Sequence, residues 1–132
     1  MNADLVVIGA GAVGLGAARA ARRRHASVIL VEQARPGGDC TFTGCILSKS
    51  LLEVARGGGT FTEVMAAVHR AVEIVAASES PSALVWEGID VVPGHARFVD
   101  RHVLDIGGKR VRAGAVVVAT GAGRELGPVP HQ

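Results

Sequence analysis

Two groups of residues in this 132-residue sequence have types and spacings that can do chemistry. Cys40 and Cys45, the only cysteines, enclose Thr41-Phe42-Thr43-Gly44 and lie between Gly37-Gly38 and Lys49. Thiols this close in sequence can form a disulfide where the turn allows it, and Gly44 supplies backbone freedom for such a turn. Just before and at the start of a predicted helix, with Lys49 one turn on, both are expected to have a lowered pKa and thiolate character. Two other readings stand beside redox chemistry. Structural zinc usually needs four Cys/His ligands with tighter pair spacing, and here there is no second pair to join. Inert packing of small residues is the other, and the flanking Gly38, Gly44 and Lys49 weigh against it.

The second group is Gly9-Ala10-Gly11-Ala12-Val13-Gly14, with Glu32 further on. A G-x-G-x-x-G that leaves a strand and opens a helix, with an acidic residue ending the next strand, predicts a dinucleotide site. Gly9 permits the tight turn, Gly11 lets backbone approach a pyrophosphate, and Gly14 lets helix and strand pack closely. The helix N-terminus offers free N–H groups to phosphate oxygens. Glu32 can accept from ribose hydroxyls and would repel a 2′-phosphate, so the ligand reads as FAD or NAD rather than NADP.

The elements that must position these groups follow from pattern. Residues 5–8 and 27–31 are β-branched runs that read as buried parallel strands, joined by an alanine- and arginine-rich helix over 12–25. This strand-helix-strand unit should be right-handed. After the cysteine loop, residues 48–56 read as helix, stopped by Gly57-Gly58-Gly59. Thr60-Phe61-Thr62-Glu63 is a capping box opening a helix whose core stripe is Phe61, Val64, Met65, Val68, Val72 and Val75. Ser80-Pro81 opens a further short helix that Gly88 closes. Residues 89–92, 96–99, 102–106 and 110–112 read as an antiparallel meander, turning at Asp100-Arg101 and Gly107-Gly108. Residues 115–119 return as a buried strand that Thr120-Gly121 halts.

Composition narrows the function classes. Hydrophobic residues make up 48% and charged residues 20%, so the chain is globular and reads as one α/β domain. A net charge of +2 is too balanced to suggest nucleic acid or an anionic membrane as partner. The one dense basic run, Arg22-Arg23-Arg24-His25, reads as a solvated helix end. The first apolar run passes directly into glycines, unlike a secretory signal, and is too short to cross a bilayer. A cytoplasmic location is therefore expected, where paired cysteines more often serve catalysis or redox than structure.

Gly37-Gly38-Asp39-Cys40 followed by Gly44-Cys45-Ile46-Leu47-Ser48-Lys49 resembles the G-G-x-C-x-x-x-x-C-x-P-S-K signature of the class I pyridine nucleotide-disulfide oxidoreductases, in its usual place after the first strand-helix-strand unit. The resemblance implies a Rossmann-like FAD-binding domain, a parallel sheet with an antiparallel meander, of which residues 1–132 are the N-terminal portion. It implies that Gly9, Gly11, Gly14 and Glu32 hold the ADP part of FAD, with Gly38 also binding the cofactor and shaping the approach to the thiols. Ala119-Thr120-Gly121-Ala122 resembles the family's A-T-G-x stretch beside FAD. Cys45 matches the thiol over the flavin, Cys40 the interchange thiol that meets substrate, and Lys49 a lysine near the flavin ring. The implied relay runs from NAD(P)H through flavin to a Cys40–Cys45 disulfide and on to substrate.

Leu47 replaces the family's proline, which places the thiol geometry in question. The chain shows no second G-x-G-x-x-G for NAD(P)H and no dimerisation domain with its His–Glu pair, so it is expected to be incomplete for turnover and to leave a sheet edge exposed. His25, His69, His95, His102 and His131 read as surface or loop residues. FAD is the expected partner, with association to the remaining enzyme segments or a family-type homodimer. The alternatives are a non-enzymatic flavin-binding module and a degenerate, truncated remnant.

Overall fold

The computed structural model describes residues 1–122; the tail 123–132, which holds His131, lies outside the described residues. The first half of the chain gives β1 (Asn2–Ile8), α1 (Ala12–Arg22), β2 (Val28–Glu32), α2 (Gly38–Phe42), α3 (Cys45–Arg56) and α4 (Phe61–Ser78). The second gives α5 (Pro81–Trp86), β3 (Ile89–Pro93), β4 (Ala96–Asp100), β5 (Val103–Ile106) and β6 (Lys109–Val118).

One mixed sheet takes all these strands in the order β3-β2-β1-β6-β5-β4. β1 lies parallel to β2 and to β6, and β2 parallel to β3. β4, β5 and β6 form the antiparallel part. The α/β, Rossmann-like architecture agrees with the sequence reading, but the meander needs correction. β3 leaves it and pairs with β2, Val28 opposite Ile89, because the helices between them carry the chain across as a parallel connection requires. The expected strands 110–112 and 115–119 are one strand, β6. Gly114 is no break: a Cβ there would lie 2.9 Å from the Asp4 carbonyl oxygen, so the glycine marks the close approach of β6 to β1.

Side-chain alternation along the strands feeds two cores. Val7, Leu30 and Ile89 point to the face covered by Leu15 and Ala18 of α1 and Leu84 of α5. Val6, Ile29 and Val31 point to the other, where Leu104, Ile106 and Val111 of the meander cover them. Val6, Val7 and Leu30 are fully buried, each worth about 1.5–3 kcal/mol relative to exposure.

α1 stops at Arg22, short of the expected His25, which takes a left-handed φ of 63° in the turn that follows. Arg22 is more than a solvated helix end: its guanidinium donates to the Ala26 carbonyl at 2.6 Å. Arg19 forms a two-pronged pair with Glu87, both contacts 2.8 Å, tying α1 to the end of α5. The capping box at the start of α4 is present, the Thr60 N–H donating to Glu63 Oε2 at 2.8 Å and the Glu63 N–H to Thr60 Oγ1 at 3.3 Å. Of the expected stripe, Val64 and Val68 are buried, Met65, Val72 and Val75 half-buried, and Phe61 is 80% exposed. Phe61 is the first residue of α4. Pro81 opens α5 as expected, the Ala83 N–H donating to Ser80 Oγ at 3.3 Å.

Candidate functional site

The turn from β1 into α1 uses its glycines in two ways. Gly9 adopts φ +100°, and a Cβ there would strike the Ala119 carbonyl. A Cβ at Gly14 would strike the Gly9 carbonyl, so both glycines are demanded by the fold itself. Gly11 is different. It caps α1 with an ordinary φ of −77°, and a Cβ there would meet nothing within 4 Å. No side chain caps this helix start and no acidic residue occupies its first turn, so its polar N–H end is left open.

Glu32 stitches the turn to the loop beyond β2. Its Oε2 accepts from the Ala10 N–H at 2.8 Å and its Oε1 from the Ala34 N–H at 2.9 Å. A carboxylate has about four acceptor positions, so capacity remains on both oxygens. This backbone-bracing role was not legible from the motif.

A cavity of about 610 Å³ opens over the turn, walled by residues 9, 11–13, 32–35, 38–40, 42–43 and 119–122. Its size lies within the roughly 300–1,000 Å³ typical of small-molecule sites. The Arg35 guanidinium stacks on the Phe42 ring at 3.4 Å from the centroid, a cation–π contact in the wall that sequence reading missed. A cation and an aromatic on either side of a glycine pair were the available signal. The cysteine segment presses directly on the turn: the Gly37 N–H donates to the Ala10 carbonyl at 2.7 Å, and a Cβ at Gly38 would lie 3.0 Å from the Gly11 Cα.

The thiols sit on two helices rather than in a loop. Cys40 is in α2, half-buried and part of the cavity wall, whereas Cys45 is the first residue of α3 and exposed. Both are free thiols. The expected lowering at Cys40 is corrected: its pKa is raised, first by the hydrogen bond with the Cys45 side chain, then by desolvation and the Cys45 charge. The Cys45 N–H and the Lys49 charge pull the other way and are outweighed. The physical reason is position. Cys40 belongs to a five-residue helix with little dipole of its own, and its nearest ionisable partner is another thiol.

The structure thus gathers Gly9, Gly11, Glu32, Gly38, Cys40, Thr120 and Gly121 around one cavity. Gly14 lies buried beneath it as packing, Cys45 beside Cys40 but off the wall, and Lys49 exposed on α3. Leu47 is half-buried within α3, which continues through the position where the resembled signature has proline. His25, His69, His95 and His102 are all exposed. Among the described residues, no three His, Cys, Asp or Glu side chains gather as a metal site requires, and no helix is long and apolar enough to cross a membrane.

Glycine turn, acidic strand end and parallel half-sheet define a Rossmann-like domain with two thiols at the edge of its cavity. The family model described as pyridine nucleotide-disulphide oxidoreductase matches residues 3–132, and the chain belongs to that family. A mercuric reductase of Staphylococcus aureus is 27% identical, over 96% of this chain and 26% of its own length. A glutathione reductase of Burkholderia cepacia is 30% identical, over 96% of this chain and 32% of its own. Among solved structures, the HOCl-induced flavoprotein disulfide reductase RclA from Escherichia coli superimposes with a TM-score of 0.80 at 28% identity, covering 96% of this chain and 30% of that one. The chain therefore spans about a third or less of the length of these relatives.

Proposed function

We propose that residues 1–132 are the N-terminal portion of an FAD-binding domain and carry the redox thiols of a flavoprotein disulfide oxidoreductase. The observation that carries this reading is Gly11. No neighbour requires a glycine there, since an added Cβ would meet nothing within 4 Å, yet the residue faces a cavity of small-molecule size at an uncapped helix start. A diphosphate there would accept from the first-turn N–H groups, and a side chain would stand in its place. Glu32 would take the adenosine ribose with its remaining acceptor capacity, and Thr120-Gly121 would flank the ligand from the end of β6.

Bound there, FAD would supply two-electron transfer, with NAD(P)H as donor in the complete enzyme. The chain's own part is the thiol pair. A Cys40–Cys45 disulfide that gains two electrons and two protons becomes the two free thiols seen here. Cys40, on the cavity wall, is assigned the exchange with substrate; exposed Cys45 is assigned the thiol beside the flavin, and Lys49 contributes charge.

Absorbance spectra of the chain with FAD, before and after dithiothreitol, test this. The expected result is a perturbed flavin spectrum on binding and a long-wavelength charge-transfer band on reduction, lost in Cys45→Ser. An unperturbed spectrum at saturating FAD would sink the binding claim, and a band surviving in Cys45→Ser would sink the thiol assignment. Flavin binding without any thiol-dependent band would favour a non-enzymatic flavin-binding module, a reading that the exposure of Cys45 supports.

A further inference from the structure

We propose that Glu79 is a positioning residue for Cys40, acting through the Thr41 hydroxyl; this rests on the reading of Cys40 and Cys45 as a redox pair. Thr41 is the one buried polar side chain among the described residues, at 3% exposure, and it directly follows Cys40. Its Oγ1 donates to Glu79 Oε2 at 2.7 Å, a charge-assisted bond joining the cysteine segment to the far end of α4. α2 has only five residues, too few to hold a helix unaided, so the place of Cys40 depends on tertiary contacts. Backbone bonding at Gly37 anchors its start, and the Thr41–Glu79 bond anchors its middle. Successive helical residues point about 100° apart, so a latch on Thr41 leaves the Cys40 thiol free to meet Cys45.

Two further observations mark Glu79 as held for this contact. It is the C-cap of α4, where a carboxylate opposes the helix dipole and local preference would choose a cation. The Arg19 guanidinium offsets this by donating to the adjacent Ser78 carbonyl at 3.0 Å. Gly37 also makes room for the latch: a Cβ there would fall 2.8 Å from Glu79 Oε2.

The test is thiol–disulfide equilibration of the chain with glutathione, followed by alkylation of free thiols and mass measurement. Cys40 and Cys45 each lose a proton and together two electrons as their S–S bond forms, while one oxidised glutathione is cleaved to two thiols. Thr41→Val and Glu79→Ala are each expected to lower the disulfide-to-dithiol ratio about tenfold, a shift of about 30 mV. The double variant should fall no further than either single one, because both remove the same contact. Thr41→Ser, which keeps the hydroxyl, should restore the ratio. Ile89→Val, a core change far from the thiols, should lower thermal stability and leave the ratio unchanged. The proposal is overturned if the single variants match the wild type, if their effects add, or if Ile89→Val lowers the ratio equally. A wild type that forms no disulfide at any glutathione ratio overturns the redox-pair reading and this one together.

Discussion

The glycine turn and α2 share a cavity, but the turn and the two cysteine-bearing helices are built to opposite standards. Around the turn, Val6, Val7 and Ala10 are wholly buried, and Gly9 and Gly14 are fitted so closely that neither has room for a methyl group. On the thiol side, α3 buries no residue, Leu52 is 66% exposed, and α2 depends on a few hydrogen bonds. The difference teaches where the sequence invests its packing. The half that would receive a nucleotide is preformed by the core, while the half that would move electrons is attached to it by specific polar contacts.

The sharpest way to break this contrast is Gly14→Ala. Its methyl group would collide with the Gly9 carbonyl, and overpacking of this kind costs about 3 kcal/mol, read as a lower midpoint in denaturant unfolding. Unchanged stability would show that the turn is looser than described. Gly11→Ala should do the reverse. It is expected to leave unfolding nearly unchanged and to weaken FAD binding about tenfold, or about 1.4 kcal/mol, in a flavin titration.

Gly16→Ala serves as the control within the same helix, since its added methyl group also meets nothing within 4 Å. It should stabilise the chain by about 0.5–1 kcal/mol without affecting FAD binding. The Arg19–Glu87 pair predicts a pH effect on the scaffold rather than the thiols. The hydrogen bond from Arg19 holds the Glu87 carboxyl below its ordinary value, so its contribution is full above about 4.5 and drains as pH falls through the lower folded-state value. Glu87→Gln should flatten that acid limb of the unfolding midpoint by about 0.5 kcal/mol, modest because the pair is partly exposed. The smallest effect is expected at Leu52→Ala, within about 0.5 kcal/mol, because little is buried there to lose. A loss of several kcal/mol would mean that the thiol arm has a core of its own.

Local signals were legible in the sequence and remote pairings were not. The glycine turn, the capping box at Thr60 and Glu63, and the hairpin at Gly107-Gly108 all depend on residues within a few positions of one another, and all are present. Ile89-Asp90-Val91-Val92 announced a strand but not its partner, because a short apolar run carries no information about parallel or antiparallel pairing. Residues 110–112 and 115–119 read as separate strands because what fits Gly114 into one strand, the close approach of the Asp4 backbone, comes from the other end of the described chain. Thr41 with Glu79, and Arg19 with Glu87, are likewise set by tertiary geometry. At the candidate site the motif residues were legible, whereas Arg35 on Phe42 and the raised Cys40 pKa follow from contacts that only folding creates.

The pairing of β1 with β6 also sets an order of events during folding. Ile8 registers with Val118, and the Ala119 N–H closes the end of the pair on the Ile8 carbonyl at 2.8 Å. During synthesis β1 thus lacks its second neighbour until nearly the last described residue has been made, at about 5–20 residues per second. Such sequence-distant contacts slow folding. Nascent chain ending before Ala119 would hold a glycine turn with one wall missing, so the proposed nucleotide site would be completed late in synthesis.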